Sequence, residues 1–223
     1  MYIPIGRPKS LKDIQPKVDV TRVYDRSKVK ILVIDDEDFI YLNGLRDNGF
    51  SIRYVSDGQM AEIAEAYDIV ICDVQGVAKN LSERKQGAHL IKEMKLIYPF
   101  KTVIAYTGKP NNAAINRDLR KADDLYGKDL DLEDLLDNLD REVRKFQDVK
   151  TLWKRLRDFL ISNNVDTYTI ARLEDKYVEI INKGGNMSDF STYKHSKSLQ
   201  PDVRAVIQSF VASAIFAAIT GTP

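Results

Sequence analysis

A continuous apolar stretch at residues 69–72 constrains the fold of this chain more than any other feature. The sequence Ile-Val-Ile-Cys leads directly into Asp73, and a polar segment that contains Gly76 follows. A short unbroken run of mostly β-branched residues is typical of a strand covered on both faces, as found inside parallel sheets. A carboxylate at the C-terminal end of such a strand lies where open α/β sheets bind their ligands. We therefore expect Asp73 to lie at a functional edge of a parallel sheet.

Four further segments have strand character and alternate with helical segments. Strands are predicted at residues 29–34, 52–55, 101–107 and 124–127, and helices near residues 39–45, 61–64 and 88–98 and in a polar stretch up to Leu119. Strands that alternate with helices of these lengths indicate βαβ units with right-handed crossovers. The predicted fold class is therefore α/β, with a five-stranded parallel, doubly wound domain over residues 29–145.

Polar residues stand at the C-terminal ends of four of the predicted strands. They are Asp35 and Asp36, Asp73, Thr107 and Lys128. Because parallel strands end at the same edge of a sheet, we expect these side chains to converge. Neighbouring carboxylates favour a hard divalent cation such as Mg²⁺. A Lys and a hydroxyl suit the oxygens of a phosphoryl group, and an Asp carboxylate can itself be phosphorylated.

This set of residues resembles the receiver domain of two-component response regulators, over roughly residues 29–145. The resemblance implies the flavodoxin-like form of the doubly wound fold and a signalling protein whose only catalysis would be its own phosphotransfer and dephosphorylation. The expected partner is a sensor histidine kinase or another phosphodonor. The matching motifs are Ile34-Asp35-Asp36, Ile71-Cys72-Asp73, Ala105-Tyr106-Thr107 and Tyr126-Gly127-Lys128.

The resemblance also implies a metal site. Mg²⁺ would be the cofactor, with Asp36 as a direct ligand and Asp35 as a ligand through water. Asp73 and the backbone carbonyl of Gln75 would complete the protein's part of the coordination. No other cofactor is expected.

Three residues receive phosphorylation roles from the same resemblance. Asp73 would be the phospho-acceptor, Lys128 would pair with the phosphoryl oxygens, and Thr107 would hydrogen-bond to one of them. The contact to Thr107 would draw its loop inward and repack the neighbouring face. Phosphorylation would thus act as a local change of charge on a two-state surface.

The chain departs from the usual receiver pattern at several positions. Residues 74–86 form a longer loop without the usual Pro and acidic-Gly pair, and Asp129 stands where a Pro normally follows the Lys. These departures favour a second hypothesis, in which the protein is a receiver-like scaffold or adaptor that is not phosphorylated. The complete set of five strand-end residues favours the phosphorylation switch. A third hypothesis, nucleic-acid binding through basic flanks, would be excluded by binding that does not depend on salt.

The remaining segments are predicted to be an arm and a helical tail. Residues 1–28 contain three Pro and no clear periodicity, which indicates an extended N-terminal arm. Residues 146–223 are predicted to be a helical interaction or dimerisation domain, ending in a helix over residues 203–219. An apolar stripe predicts one continuous helix over residues 131–162 that serves either as a coiled-coil seam or as the core of a bundle. The stripe consists of Leu132, Leu135, Leu136, Leu139, Val143, Phe146, Val149, Leu152, Leu156 and Phe159.

Composition limits the partners and the cellular compartment that we expect. The net charge is +1, so nucleic acid is not expected as a partner. Residues 29–139 are acidic, with 14 Lys/Arg against 20 Asp/Glu. The single cysteine, Cys72, excludes an intramolecular disulfide and favours a reducing compartment. The first residues lack a positively charged start followed by an apolar core, so no secretory signal is predicted. We expect a cytoplasmic protein without a membrane partner.

Overall fold

The computed structural model describes residues 7–15, 25–108 and 119–212. These residues divide into two units, one formed by residues 25–108 and 119–147 and the other by residues 7–15 and 148–212. The boundaries expected from the sequence, after residues 28 and 145, stay predictions.

The first unit is built on one parallel sheet of five strands. In chain order these are β1 (Lys30–Ile34), β2 (Ser51–Val55), β3 (Ile69–Asp73), β4 (Thr102–Thr107) and β5 (Asp124–Gly127). Their spatial order is β2-β1-β3-β4-β5, and every pairing is parallel. This is the strand order of the flavodoxin-like doubly wound fold. The predicted fold class is confirmed.

Burial explains why the central strands are the most apolar segments. Every residue of β3 and β4 is buried, and so is β1 after its first residue. Such strands have no solvent-facing side, so their sequences run as continuous apolar stretches rather than alternating ones. The register pairs Asp73 with Tyr106 and Thr107 with Gly127, which brings the ends of β3, β4 and β5 to the same edge.

The described residues of this unit include three α-helices and two 3₁₀ segments. They are the 3₁₀ helix Arg26–Lys28, α1 (Leu42–Asp47), the 3₁₀ helix Ala61–Ala66, α2 (Gln86–Ile97) and α3 (Leu132–Gln147). The predicted inward face of α2 is confirmed, because Leu90, Ile91 and Met94 are fully buried. The polar helix predicted up to Leu119 lies almost entirely outside the described residues.

A buried acid and a buried lysine lie at the opposite, N-terminal edge of the sheet. Asp68 precedes β3 and accepts a hydrogen bond from the amide of Lys30 at 2.9 Å. Lys101 precedes β4 and donates from Nζ to the carbonyls of Ala64, at 2.5 Å, and Glu65. Burial raises the pKa of Asp68 to about 6, although the Lys30 amide opposes the shift. Burial likewise lowers the pKa of Lys101 to about 8.

The raised pKa of Asp68 predicts a pH-dependent cost to stability. Between pH 4 and pH 6 the folded protein holds a proton that the unfolded chain has released, so stability falls as the pH rises. Asp68→Asn stays neutral and keeps an oxygen for the Lys30 amide. We expect the unfolding free energy of the variant, relative to the parent protein, to rise by about 2 kcal/mol from pH 4.5 to pH 6.5. Urea unfolding across this range, where Lys101 stays charged, measures it, and a constant difference would contradict it.

The predicted continuous helix over residues 131–162 is wrong. Helix α3 ends at Gln147 and a new helix, α4 (Val149–Ser162), begins after Asp148. Asp148 has extended backbone angles (φ −80°, ψ 110°), and its carboxylate accepts hydrogen bonds from the amides of Lys150 and Thr151, each at 3.1 Å. This is an N-cap, in which a side chain binds amide groups that lack partners in the first turn of a helix.

The apolar stripe is also not available as a coiled-coil seam. Seven of its ten residues are exposed by 5% or less within the single chain, among them Phe146 and Leu152 on either side of the break. The alternative from the sequence, that the stripe forms part of a packed core, is the one observed. Dimerisation through the helical region at residues 146–223 stays a prediction.

The cap at Asp148 predicts a measurable loss of stability. Asp148→Ala leaves two amide groups of α4 without a side-chain acceptor, which we expect to cost about 1 kcal/mol of unfolding free energy. Asp158→Ala, an exposed change of the same type within the same helix, is the control and should stay within about 0.5 kcal/mol of the parent protein. Urea denaturation of both variants measures the difference, and equal values would contradict the capping role.

The second unit is helical in its described part. After α4 come α5 (Thr167–Lys183), α6 (Ser188–Ser191), α7 (Lys194–Lys197) and α8 (Pro201–Ala212). An aromatic cluster forms its centre, in which the rings of Trp153 and Tyr177 stack with centroids 5.1 Å apart. Phe190 and Phe210 complete the cluster, and the Tyr177 hydroxyl donates to the carbonyl of Val149 at 2.8 Å. Most of the apolar segment at residues 210–219 lies outside the described residues.

Residues 7–15 pack against α5 in this unit. The amides of Lys9, Leu11 and Gln15 donate to the side chains of Asp175, Glu174 and Asn182, each at 2.9 Å. Side chains of one helix thus bind the backbone of the N-terminal segment.

Among the helices of the described residues, none has the length and apolar character that crossing a membrane requires.

Candidate functional site

The predicted acidic residues converge at the C-terminal edge of the sheet. Oxygen atoms of Asp35, Asp36 and Asp73 all lie within 4.8 Å of one another. Asp35 and Asp73 are buried, whereas Asp36 is exposed. Two backbone amides bind the buried carboxylates: Glu37 donates to Asp35 Oδ1 at 3.0 Å and Gln75 to Asp73 Oδ1 at 3.1 Å.

Lys128 supplies the positive charge beside this cluster. Its Nζ donates to Asp73 Oδ2 at 2.8 Å, to Asp35 Oδ1 at 3.0 Å and to Glu37 Oε2 at 3.2 Å. The side chain is 22% exposed, against 3% for Asp35 and 5% for Asp73. Lys128 therefore joins two largely desolvated carboxylates while remaining partly open to solvent.

The pKa values show which effect, burial or hydrogen bonding, dominates at Asp73 and at Lys128. Burial raises the pKa of Asp73 to about 6, even though hydrogen bonds from Lys128 and the Gln75 amide lower it. Partial burial opposes the charge on Lys128, but its hydrogen bonds to Asp73 and Asp35 outweigh burial and raise its pKa above the ordinary value. The lysine thus stays protonated, and the free energy cost of burying Asp73 is only partly offset by it.

Thr107 and Tyr106 come to the same edge from the end of β4. Thr107 is buried, and its carbonyl accepts a hydrogen bond from the amide of Lys128 at 3.1 Å, which ties the end of β5 to β4. Lys128 Nζ lies 5.5 Å from the centroid of the Tyr106 ring. A crevice of about 180 Å³ opens beside these groups, and its lining consists of Asp35, Glu37, Asp38, Phe39, Ile40, Tyr41, Tyr106 and Lys128.

Two glycines allow the chain to pass close to the carboxylates. A Cβ at Gly76 would lie 2.0 Å from Asp36 Oδ1, and the backbone there has a φ of +87° that favours glycine. A Cβ at Gly87, the second residue of α2, would lie 1.8 Å from the carbonyl oxygen of Asp73. The loop after β3 and the start of α2 therefore pack directly on the acidic cluster.

The long loop that follows Asp73 is held by side chains from elsewhere in the unit. Asp57 Oδ1 accepts a hydrogen bond from the amide of Ala78 at 2.7 Å, and Gln86 Oε1 accepts one from the amide of Gly76 at 2.7 Å. Ala78 is fully buried and has a φ of +55°. The loop thus has a defined conformation rather than an open one.

All predicted site residues belong to this edge, and three further residues were missed. Glu37 binds Lys128, Tyr106 lies beside its ammonium group, and Gln86 binds the loop that carries Gln75. The acidic run at residues 35–38 was a signal for Glu37. No local pattern indicates Gln86, because its partner is ten residues away.

The donor set suits a hard divalent cation and a phosphoryl group. Three carboxylates at this spacing match the oxygen ligands that Mg²⁺ prefers, and the exposed Asp36 leaves the cluster accessible to solvent. Lys128 provides a fixed cation for phosphoryl oxygens. Burial of Asp73 leaves one carboxylate that is weakly solvated and close to that cation, as a nucleophile for phosphorus requires.

The close approach at Gly76 predicts a specific effect of a methyl group. Gly76→Ala places a Cβ into the Asp36 carboxylate, so we expect loss of stability and weaker Mg²⁺ binding. Gly49→Ala is a matched control, because Gly49 has nearly the same φ (+85°) and no atom within 4 Å of the new Cβ. The control should lose about 1 kcal/mol from backbone strain alone. Thermal unfolding and Mg²⁺ titration measure both variants, and equal behaviour would contradict the contact.

Comparison with known proteins gives structural similarity only. No family model and no curated protein matches the chain. The chain is similar to a CheY-like response regulator receiver domain protein from Methanospirillum hungatei JF-1, at 17% identity and a TM-score of 0.43, over 53% of this chain and 96% of that one.

Two further solved structures are similar over a comparable share of the chain. A two-component response regulator from Clostridium difficile is 22% identical with a TM-score of 0.43, over 54% of this chain and 99% of that one. NtrX from Brucella abortus is 26% identical with a TM-score of 0.47, over 58% of this chain and 30% of that one. The similarity to CheY-like receiver domains covers about half of the chain, and the C-terminal part is unassigned.

Proposed function

We propose that this chain is a response-regulator-like signalling protein that accepts a phosphoryl group on Asp73 in a Mg²⁺-dependent reaction. The observation that carries the proposal is the hydrogen bond of Lys128 to Asp73 inside a cluster that also holds Asp35 and Asp36. An ion pair that served stability alone would not require two additional carboxylates, whose mutual repulsion opposes folding.

The proposed reaction is a direct phosphoryl transfer. An oxygen of the Asp73 carboxylate forms a bond to phosphorus as the bond from phosphorus to the donor breaks. The electron pair of that bond leaves with the imidazole of a phosphohistidine or with the acetate of acetyl phosphate. Lys128 holds the acceptor carboxylate before the transfer and pairs with the phosphoryl oxygens after it.

Mg²⁺, when bound, would neutralise the carboxylates and the phosphoryl oxygens. Asp36 and Asp73 would be its carboxylate ligands, Asp35 would act through water, and the Gln75 carbonyl would be a backbone ligand. Asp36 is the exposed member of the cluster and gives the ion access. Thr107 would hydrogen-bond to the new phosphoryl group from the neighbouring strand end.

The helical C-terminal region is proposed as the output region. It would change a protein partner or the oligomeric state when Asp73 is phosphorylated, and a sensor histidine kinase would be the donor. Two large apolar side chains on this unit, Ile161 at 53% and Tyr168 at 67% exposure, are candidates for such a contact. A homodimer is one form that the output could take.

A second function, a receiver-like scaffold that is not phosphorylated, has one observation in its favour. The loop after Asp73 is fastened near its start, where Gln86 binds the amide of Gly76 and Asp57 binds the amide of Ala78. A fixed loop suits a constant binding surface. Incubation with acetyl phosphate and Mg²⁺ separates the two hypotheses, since a scaffold would acquire no phosphate and would keep its oligomeric state.

Phosphorylation itself is tested by intact mass. We expect one phosphate adduct when the protein is incubated with acetyl phosphate and Mg²⁺, and none with a chelator or in Asp73→Asn. Asp68→Asn is the matched control, because it changes a buried Asp at the opposite end of the same strand and should leave the adduct unaffected. An adduct of equal yield in Asp73→Asn, or no adduct in the parent protein, would contradict the proposal.

A further inference from the structure

The two peptide groups that flank Gln75 are each fixed by a side chain. The Gly76 amide donates to Gln86 Oε1 at 2.7 Å, and the Gln75 amide donates to Asp73 Oδ1 at 3.1 Å. In a planar trans peptide the N–H and C=O bonds point in opposite directions. A hydrogen bond at the Gly76 amide therefore also fixes the direction of the Gln75 carbonyl.

This peptide lies against the acidic cluster. The Cβ position at Gly76 is 2.0 Å from Asp36 Oδ1, so its Cα already contacts that carboxylate. A hydrogen bond to the N–H of a peptide also polarises its carbonyl and makes the oxygen a better ligand. The hydrogen bond from the Gly76 amide to Gln86 thus fixes and polarises the Gln75 carbonyl in a peptide that lies beside the cluster.

Gln86 adopts an unfavourable conformation to make this contact. It is the first residue of α2 and has a φ of +47°, which L residues other than Asn and Asp seldom adopt. Its backbone amide donates to the carbonyl of Ser82 at 2.7 Å, and its Nε2 donates to the carbonyl of Glu83 at 3.2 Å. A residue kept in such a conformation, with its side-chain oxygen directed at one loop amide, points to a functional constraint.

We propose that Gln86 is a positioning residue for the metal site. It does not bind Mg²⁺ itself. It holds the Gln75–Gly76 peptide so that the Gln75 carbonyl is available as a backbone ligand before the ion arrives. This inference rests on the proposed function, because it concerns the Mg²⁺ site that phosphorylation would use. Residues that orient metal ligands in this way strongly affect affinity in other proteins.

Gln86→Gly separates positioning from stability. Glycine relieves the left-handed strain, which offsets the loss of two side-chain hydrogen bonds, so the variant should unfold at a temperature close to that of the parent protein. It also removes the acceptor for the Gly76 amide, so we expect the dissociation constant for Mg²⁺ to rise on the order of tenfold. Calorimetric titration with Mg²⁺ alone, without a phosphodonor, measures the affinity independently of any phosphorylation.

Three further variants complete the design. Gln86→Asn tolerates positive φ but is one methylene too short, and should bind Mg²⁺ as weakly as Gln86→Gly. Gln86→Glu keeps an acceptor for Gly76 while losing the donor to Glu83, and should restore most of the affinity. Ala78→Gly is the control, because Ala78 is another left-handed residue of the same loop (φ +55°) with a side chain that offers no hydrogen bond. Its Mg²⁺ affinity should stay unchanged.

The outcomes separate this inference from the proposed function. If the parent protein binds no Mg²⁺, the metal site and the role of Gln86 both fail. If the parent protein binds Mg²⁺ and Gln86→Gly binds it equally well, only the role of Gln86 is overturned. Equal weakening by Ala78→Gly and Gln86→Gly would also overturn it, because loop rigidity rather than the acceptor oxygen would then control affinity.

Discussion

Repulsion among carboxylates at one sheet edge is the constraint on which the arrangement of the first unit depends. Parallel strands deliver Asp35, Asp36 and Asp73 to the same place because their C-terminal ends are aligned by the sheet register. Two of these groups are buried, where like charges interact strongly. Lys128 offsets part of the repulsion, and its position depends in turn on the pairing of β5 with β4. Charge neutralisation at this edge and strand order are therefore linked.

The same constraint explains why the edge suits a switch. Burial leaves the pKa of Asp73 at about 6, so the site contains negative charge that the fold neutralises only in part. A divalent cation would supply the missing positive charge. A phosphoryl group on Asp73 would then change the distribution of charge at this edge. The opposite edge of the sheet is built differently, because Asp68 and Lys101 are both buried there and bind backbone groups. One edge is closed by hydrogen bonds, and the other retains an exposed carboxylate and a crevice.

The sheet and its polar edge could be predicted because their signals are local. Continuous apolar runs mark the buried strands, and Asp73 and Thr107 directly follow such runs, whereas Lys128 follows the short strand at residues 124–127. The network around the loop after β3 could not be predicted in this way. Asp57 binds an amide 21 residues away, and the roles of Gly76 and Gly87 depend on tertiary contacts with Asp36 and Asp73.

The error in the helical tail has a different cause. Apolar residues continue at three- and four-residue steps through Asp148, so periodicity alone predicts one helix. The capping residue that ends it was visible, since Asp is favoured at the N-terminus of a helix, but a single capping signal was outweighed by ten apolar positions. The packing of Trp153 and Tyr177 likewise joins residues 24 positions apart, which no local pattern encodes.

Chemical trapping of the phosphorylated residue tests the central claim most directly. Borohydride reduces an aspartyl phosphate to homoserine, and peptide mapping then locates the converted residue. After incubation with acetyl phosphate and Mg²⁺, the account predicts homoserine at position 73 and at no other Asp, with no conversion when Mg²⁺ is chelated. Conversion at Asp35, Asp36 or another acidic residue, or conversion that does not require Mg²⁺, would contradict it.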